Sequence, residues 1–298
     1  MDLSGVYPAL TTPFAADGSV SVADIKHNIR RYNSTGLAGY VAMGSTGESV
    51  LLSHVEWETV LVAVKEAAAP GMRLIAGTGA ESTAETIEKT KRAAHLGYEV
   101  ALVKTPHYYK PVYKPEVLIA HYQRVADASP IPVLLYSVPV FTGITLEAPE
   151  IGTLAQHPNI AGIKDSSGHV LRVVETIARV PADFQILVGA PPTLLPSMVV
   201  GARGGILALA SALPEMCVAL FNASRRGEMD KARALQQSLL TASAAIVSEA
   251  GIAGIKFAMD QRGYHGGIPR LPIPPPAESA KQRILEMLAL LEPVAARA

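Results

Sequence analysis

Short runs of valine, isoleucine, leucine and alanine recur along the chain, each closed by a polar or glycine-containing turn and followed by a longer amphipathic stretch. That is the pattern of repeated βα units. Eight such runs predict strands, at residues 5–10, 39–43, 74–77, 100–103, 133–136, 160–163, 185–188 and 205–209. Their starts are roughly 20 to 35 residues apart, about the size of one βα unit. Their unbroken apolar character is that of parallel strands covered on both faces.

The helices between them carry start signals. Ser21 precedes VADIKHNIRRY, Ser53 has Glu56 three positions on, and Ser82 has Glu85 likewise, the last two reading as capping boxes. Eight units favour an α/β (β/α)8 TIM barrel over an open doubly wound sheet. After the eighth run the pattern changes to helical stretches at 229–247 and 279–291, joined by the proline-rich linker IPRLPIPPPAES. The division expected is a catalytic barrel over 1–212 and, over 213–298, the last barrel helix with a C-terminal helical extension.

Composition narrows the function. The 298 residues carry 26 Lys and Arg against 26 Asp and Glu, so no net field favours a polyanion and nucleic-acid binding is not expected. Hydrophobic residues make up 49% and charged ones 17%, which suits a folded enzyme and excludes a disordered chain. A single cysteine, Cys217, excludes a disulfide framework and any multi-cysteine metal site, and packing is its expected role. The start MDLSGVYPALTTPF lacks a basic segment ahead of an apolar run, and no stretch is long and apolar enough to span a bilayer. A cytoplasmic protein that does not engage membranes is expected.

In a barrel of this kind active sites form at the C-terminal ends of strands, so the residues closing each run are the candidates. Lys164 closes the apolar run NIAGIK, where desolvation favours a neutral amine able to attack a carbonyl carbon. The alternative is a lysine that snorkels to a surface ion pair with Asp165. Tyr136 closes the neighbouring run VPVLLY, and its phenol can move protons at the same centre or serve as an amphipathic rim residue. The turn Gly44-Ser45-Thr46-Gly47-Glu48 offers amides and hydroxyls to a carboxylate, while Glu48 stands where a phosphate loop has lysine and would repel a triphosphate; a plain turn is the alternative. GTGAES, residues 77–82, lacks the third glycine of the dinucleotide fingerprint. The eight histidines form no HxH or HxxxH pair, so no metal site is expected, and only His107 falls in a loop at a strand end.

PALTTPF, GSTGE, the TPHYY loop, YSVP and GIKDSSG occur in the order and spacing of the dihydrodipicolinate synthase and N-acetylneuraminate lyase superfamily of pyruvate-dependent class I aldolases, which the chain resembles from about Gly5 to about Gly267. The resemblance implies that Lys164 forms a Schiff base with the keto carbon of pyruvate, or of a 2-oxo acid containing it, and that Tyr136 donates and accepts the proton there. It implies that Ser45 and Tyr108 are partners in a proton relay, Tyr108 reaching across a dimer interface. Thr46 would hold the pyruvate carboxylate, Ile206 would lie beside the bound ketoacid and Ser166 would meet substrate hydroxyls; Gly189, which closes the seventh run, and Phe141 are the further expected substrate-binding positions. It implies no cofactor and a homotetramer built as a dimer of dimers.

The branch is read from YSVPVFTG. Dihydrodipicolinate synthases carry YNVPxRTG, whose arginine grips the carboxylate of aspartate semialdehyde, and here Phe141 stands in its place. Losing such a charge-assisted contact costs about 1.5–3 kcal/mol. YSVP and GIAGIKFAMDQRGYHGG are nearest to the 4-hydroxy-2-oxoglutarate aldolase branch, which is the expected activity, releasing pyruvate and glyoxylate. Dihydrodipicolinate synthase is the runner-up, followed by lyases or dehydratases of sialic acid and 2-keto-3-deoxy sugar acids. A pyruvate-binding sensor without turnover is the non-enzymatic alternative, for which Phe141 is the supporting feature.

Overall fold

The computed structural model describes residues 1–295. The chain alternates β1 (Gly5–Pro8), α1 (Val22–Tyr32), β2 (Gly39–Ala42), α2 (His54–Ala67), β3 (Arg73–Gly77), α3 (Thr83–His95), β4 (Val100–Lys104), α4 (Pro115–Ala128) and β5 (Val133–Ser137). It continues with α5 (Pro139–Thr142), α6 (Ala148–Leu154), β6 (Ile160–Asp165), α7 (Val170–Ile177), β7 (Gln185–Val188), α8 (Leu194–Val199) and β8 (Gly204–Leu207). Four helices follow: α9 (Pro214–Arg225), α10 (Met229–Ser243), α11 (Gly251–Gln261) and α12 (Glu278–Ala295). The strands join one eight-stranded sheet in the order β1-β8-β7-β6-β5-β4-β3-β2. No single helix among the described residues is long and apolar enough to cross a membrane.

Two compact units make up the chain. The first comprises Met1–Ser4 and Arg73–Gly205. Its strands are parallel, with Ile75 opposite Val100, Lys104 opposite Tyr136, Tyr136 opposite Lys164, and Lys164 opposite Leu187. Every residue of β5 is buried, as expected for a strand covered on both faces. Gly162 is required by this pairing, because a Cβ there would lie 2.0 Å from the Gln185 carbonyl oxygen.

The second unit comprises Gly5–Met72 and the chain from Ile206 onward. Here β1 is held on both sides: Leu10 N donates to Val41 O and Ala9 N to Leu207 O, both at 3.0 Å. Ser211 Oγ donates to Ala9 O, and the buried Tyr32 hydroxyl donates to Ser211 O. Between α10 and α11 the helix widens into a π turn, Ala244–Ser248.

The capping box predicted at Ser53 closes in both directions with Glu56. That at Ser82 is half formed, because the Glu85 carboxylate turns instead to Lys89, one turn along α3, at 3.0 Å. The proline-rich segment read as a linker is anchored at Arg270. Its guanidinium pairs with both Glu56 oxygens, at 2.6 and 2.9 Å, and donates to the Gly18 and Leu51 carbonyls.

Candidate active site

Adjacent parallel strands in register point matched residues to the same face. Tyr136 and Lys164 are such a pair, 5% and 3% exposed, with the lysine Nζ 4.2 Å from the centroid of the tyrosine ring. Lys164 lies inside β6 rather than just beyond it, since strand pairing continues through Asp165. The surface ion pair with Asp165 is not formed among the described residues. Asp165 Oδ1 accepts from Ser167 N at 2.7 Å, and its Oδ2 lies 3.7 Å from Arg172 Nε. Arg172 in turn pairs with Glu147 and donates to the Leu146 carbonyl. That network ties the end of β6 to the segment ahead of α6.

Gly189 keeps space open beside the amine. Its N–H donates to Asp165 O at 2.7 Å, and a Cβ there would fall 1.9 Å from Ser166 Oγ and 3.2 Å from Lys164 Cε. Lys164, Tyr136, Ser166 and Gly189 are therefore brought together.

Tyr108 is presented to solvent, 76% exposed, with Tyr109 stacked edge-on at 5.0 Å. Its backbone is fixed by Glu81, whose Oε2 accepts from the N–H groups of His107 and Tyr108 at 2.9 Å and whose Oε1 meets Lys104 and His107 Nδ1. Partial burial works against ionisation of Glu81, but the two N–H donors and Lys104 outweigh it and hold the carboxyl below the usual range. Behind it, His121 is held to Thr83, and burial brings its imidazole down to about 4, so it is neutral near pH 7. Phe141 is 62% exposed in the turn closed by Gly143 at φ 63°.

The remaining candidates belong to the second unit. Ser45 and Thr46 occupy a single 3-10 turn, Ser45–Gly47, and Ile206 is buried in β8. Glu48, which follows, adopts the left-handed conformation at φ 56° and is fully buried against Lys256 of α11, 2.5 Å away. Its charge is thus neutralised within the protein. Cys217 is buried in α9, where burial pushes its thiol well up and packing is its environment.

Eight parallel strands alternating with helices form a (β/α)8 barrel, with a buried lysine set beside a tyrosine on neighbouring strands. The chain matches the Dihydrodipicolinate synthetase family over residues 2–290 and belongs to it, a family of class I pyruvate-dependent lyases. A curated relative from an Exiguobacterium species, a 4-hydroxy-tetrahydrodipicolinate synthase, is 38% identical over 96% of this chain and 97% of its own. The chloride-inhibited dihydrodipicolinate synthase of Acinetobacter baumannii, solved with pyruvate, superposes with a TM-score of 0.92 at 32% identity, over 96% of this chain and 98% of that one. The 4-hydroxy-tetrahydrodipicolinate synthase of Methylacidiphilum fumariolicum gives 0.94 at 28% identity, over 99% and 98%. These relatives bear the name of the runner-up activity rather than that of the 4-hydroxy-2-oxoglutarate aldolase branch.

Three groups escaped the reading of strand ends: Glu81, Arg172 and Lys256. Lys256 did leave a signal, a lone charge amid the apolar GIAGIKFAM, which a buried helix tolerates only with a partner.

Proposed function

We propose that this lyase joins pyruvate to an aldehyde, or cleaves the product, through an imine on Lys164, and that the aldehyde is aspartate semialdehyde. The observation that carries the mechanism is the Lys164 amine, 3% exposed and 4.2 Å from the Tyr136 ring centroid. The neutral amine adds to the keto carbon, the carbinolamine oxygen leaves as water, and the protonated imine draws electrons from C3 as a proton departs. The enamine then attacks the aldehyde carbon, and hydrolysis of the new imine frees the lysine. Tyr136 is the group that moves protons to and from the reacting oxygen.

The other roles come from the family pattern. Ser45 and Tyr108 relay protons, Thr46 holds the pyruvate carboxylate through hydroxyl and amide, Ile206 presents its backbone to the ketoacid, and Ser166 meets the second substrate. The active form is a homotetramer. The choice of aldehyde follows the relatives' activity. Phe141 favours a second reading, glyoxylate and a 4-hydroxy-2-oxoglutarate product, because a phenyl ring donates nothing to the carboxylate of the semialdehyde.

Borohydride reduction in the presence of pyruvate, followed by peptide mapping, tests the mechanism. A pyruvyl adduct on Lys164 is expected, and folded protein without one would overturn it. Ranking kcat/KM for aspartate semialdehyde against glyoxylate then decides the aldehyde, a higher value for glyoxylate replacing the first reading with the second.

A further inference from the structure

The turn that carries Ser45 and Thr46 is fixed by a buried ion pair recruited from the far end of the sequence. Lys256 and Glu48 both have side chains with 0% exposure, and their charged atoms are 2.5 Å apart. The Lys256 amine also donates to Ile268 O at 2.7 Å and lies 4.5 Å from the centroid of the Phe14 ring. Glu48 Oε2 accepts from Arg270 N at 2.8 Å, and the carbonyl of Gly47 accepts from Thr12 Oγ1 at 2.7 Å. Residues 47 and 48 are therefore gripped from β1's trailing segment, from α11 and from the stretch after it. Glu48 is held in a left-handed conformation that non-glycine residues adopt at a cost, a state that persists only where its surroundings impose it.

Burial explains why both charges are needed. A buried carboxylate two residues from Thr46, without a cation, would oppose the approach of another carboxylate to that turn. A buried ion pair seldom stabilises a fold more than apolar residues of the same size would, so its cancelling of charge beside the turn, together with the Arg270 N–H that holds Glu48 Oε2, is the more informative property. We propose that Glu48 and Lys256 are positioning residues for substrate: they orient the Ser45–Thr46 turn and cancel the charge beside it, so that the turn accepts the carboxylate of a 2-oxo acid. This rests on the reading that Thr46 holds that carboxylate. Neither residue touches the reacting atoms.

The test separates ketoacid binding from chemistry and from folding. The variants are Lys256→Met, Glu48→Gln and the double variant Glu48→Gln/Lys256→Met, the last leaving no buried charge unpaired should Lys256→Met fail to fold. Each is assayed as folded protein for KM of pyruvate, kcat, and the pyruvate concentration giving half-maximal borohydride trapping at Lys164. The expected result is a rise of about tenfold or more in KM and in the half-trapping concentration, equivalent to about 1.4 kcal/mol, with kcat changed less than KM. Lys256→Met should be the worst, because it leaves Glu48 unneutralised, and adding Glu48→Gln to it should recover part of the loss. Folded variants with pyruvate KM and half-trapping unchanged, or an equal fall in kcat alone, would overturn the proposal. Wild-type protein that traps no pyruvate on Lys164 would instead bring down the underlying reading.

Discussion

Lys164 is 3% exposed, and its amine lies against the Tyr136 ring, with no ion pair to a carboxylate of its own unit among the described residues. Lys164→Ala is therefore expected to abolish turnover and borohydride trapping while the far-UV spectrum and cooperative melting persist; residual aldol activity would show a different nucleophile. Tyr136→Phe keeps the ring against the amine and deletes only the hydroxyl. Loss of one general acid-base group is worth about 10²–10⁴-fold in rate, so kcat should fall within that range while trapping, though slower, still maps to Lys164. A kcat near wild type would reduce Tyr136 to packing. At the same scale Gly189→Ala tests the space beside the lysine, since its Cβ would have to displace Ser166 Oγ from 1.9 Å. Slower imine formation is expected, and trapping at the wild-type rate would show that β7 yields without cost.

Elements add a pH-dependent contribution at α2. The Arg270 guanidinium beside Glu56, aided by Ser53, holds that carboxyl down to about 2 against an ordinary value of 4.5, with partial burial opposing. A depressed folded value means the stabilisation is fully present above pH 4.5 and is lost as pH falls through the range from 4.5 to about 2. Glu56→Gln should accordingly lower the melting temperature at pH 7 and make little difference near pH 2; an equal effect at both would show that the pair contributes through shape alone. The partly exposed position keeps the effect modest. The interaction also shows what the sequence could and could not display. The eight strands were legible because a strand buried on both faces writes a continuous apolar run, and the ends carrying Lys164 and Tyr136 stood out as polar exceptions. Glu85 turning to Lys89, Arg270 reaching Glu56 and Lys256 reaching Glu48 were not legible. The first is a local competition for one carboxylate between the Ser82 N–H and the Lys89 amine, and the other two join residues more than 200 positions apart. Phe141 was legible as a departure, but a missing contact indicates what is not gripped more readily than what is, and the relatives' names point to the runner-up activity.

For the whole molecule, Tyr108, Tyr109 and Val112 are displayed outward, at 76%, 64% and 58% exposure, and exposed large side chains grouped this way can be tested as an interface. Glu81 grips the backbone of this loop and leaves the Tyr108 ring free to project. If the phenol completes a neighbouring subunit's site, defects in Lys164 and Tyr108 should complement one another. Lys164→Ala and Tyr108→Phe proteins are each expected to be severely impaired alone. In a mixed assembly, obtained by co-expression with two affinity tags, some sites combine an intact Lys164 with an intact Tyr108 contributed by the other chain. Activity should then rise well above that of either variant, towards half the wild-type value per subunit in a one-to-one pair where each defective lysine silences one site. Borohydride trapping in the mixture should map only to chains that retain Lys164. If Tyr108 serves the site of its own chain, every site in the mixture keeps one lesion and the mixture is no more active than the two preparations averaged, an outcome that would confine the tyrosine to its own subunit.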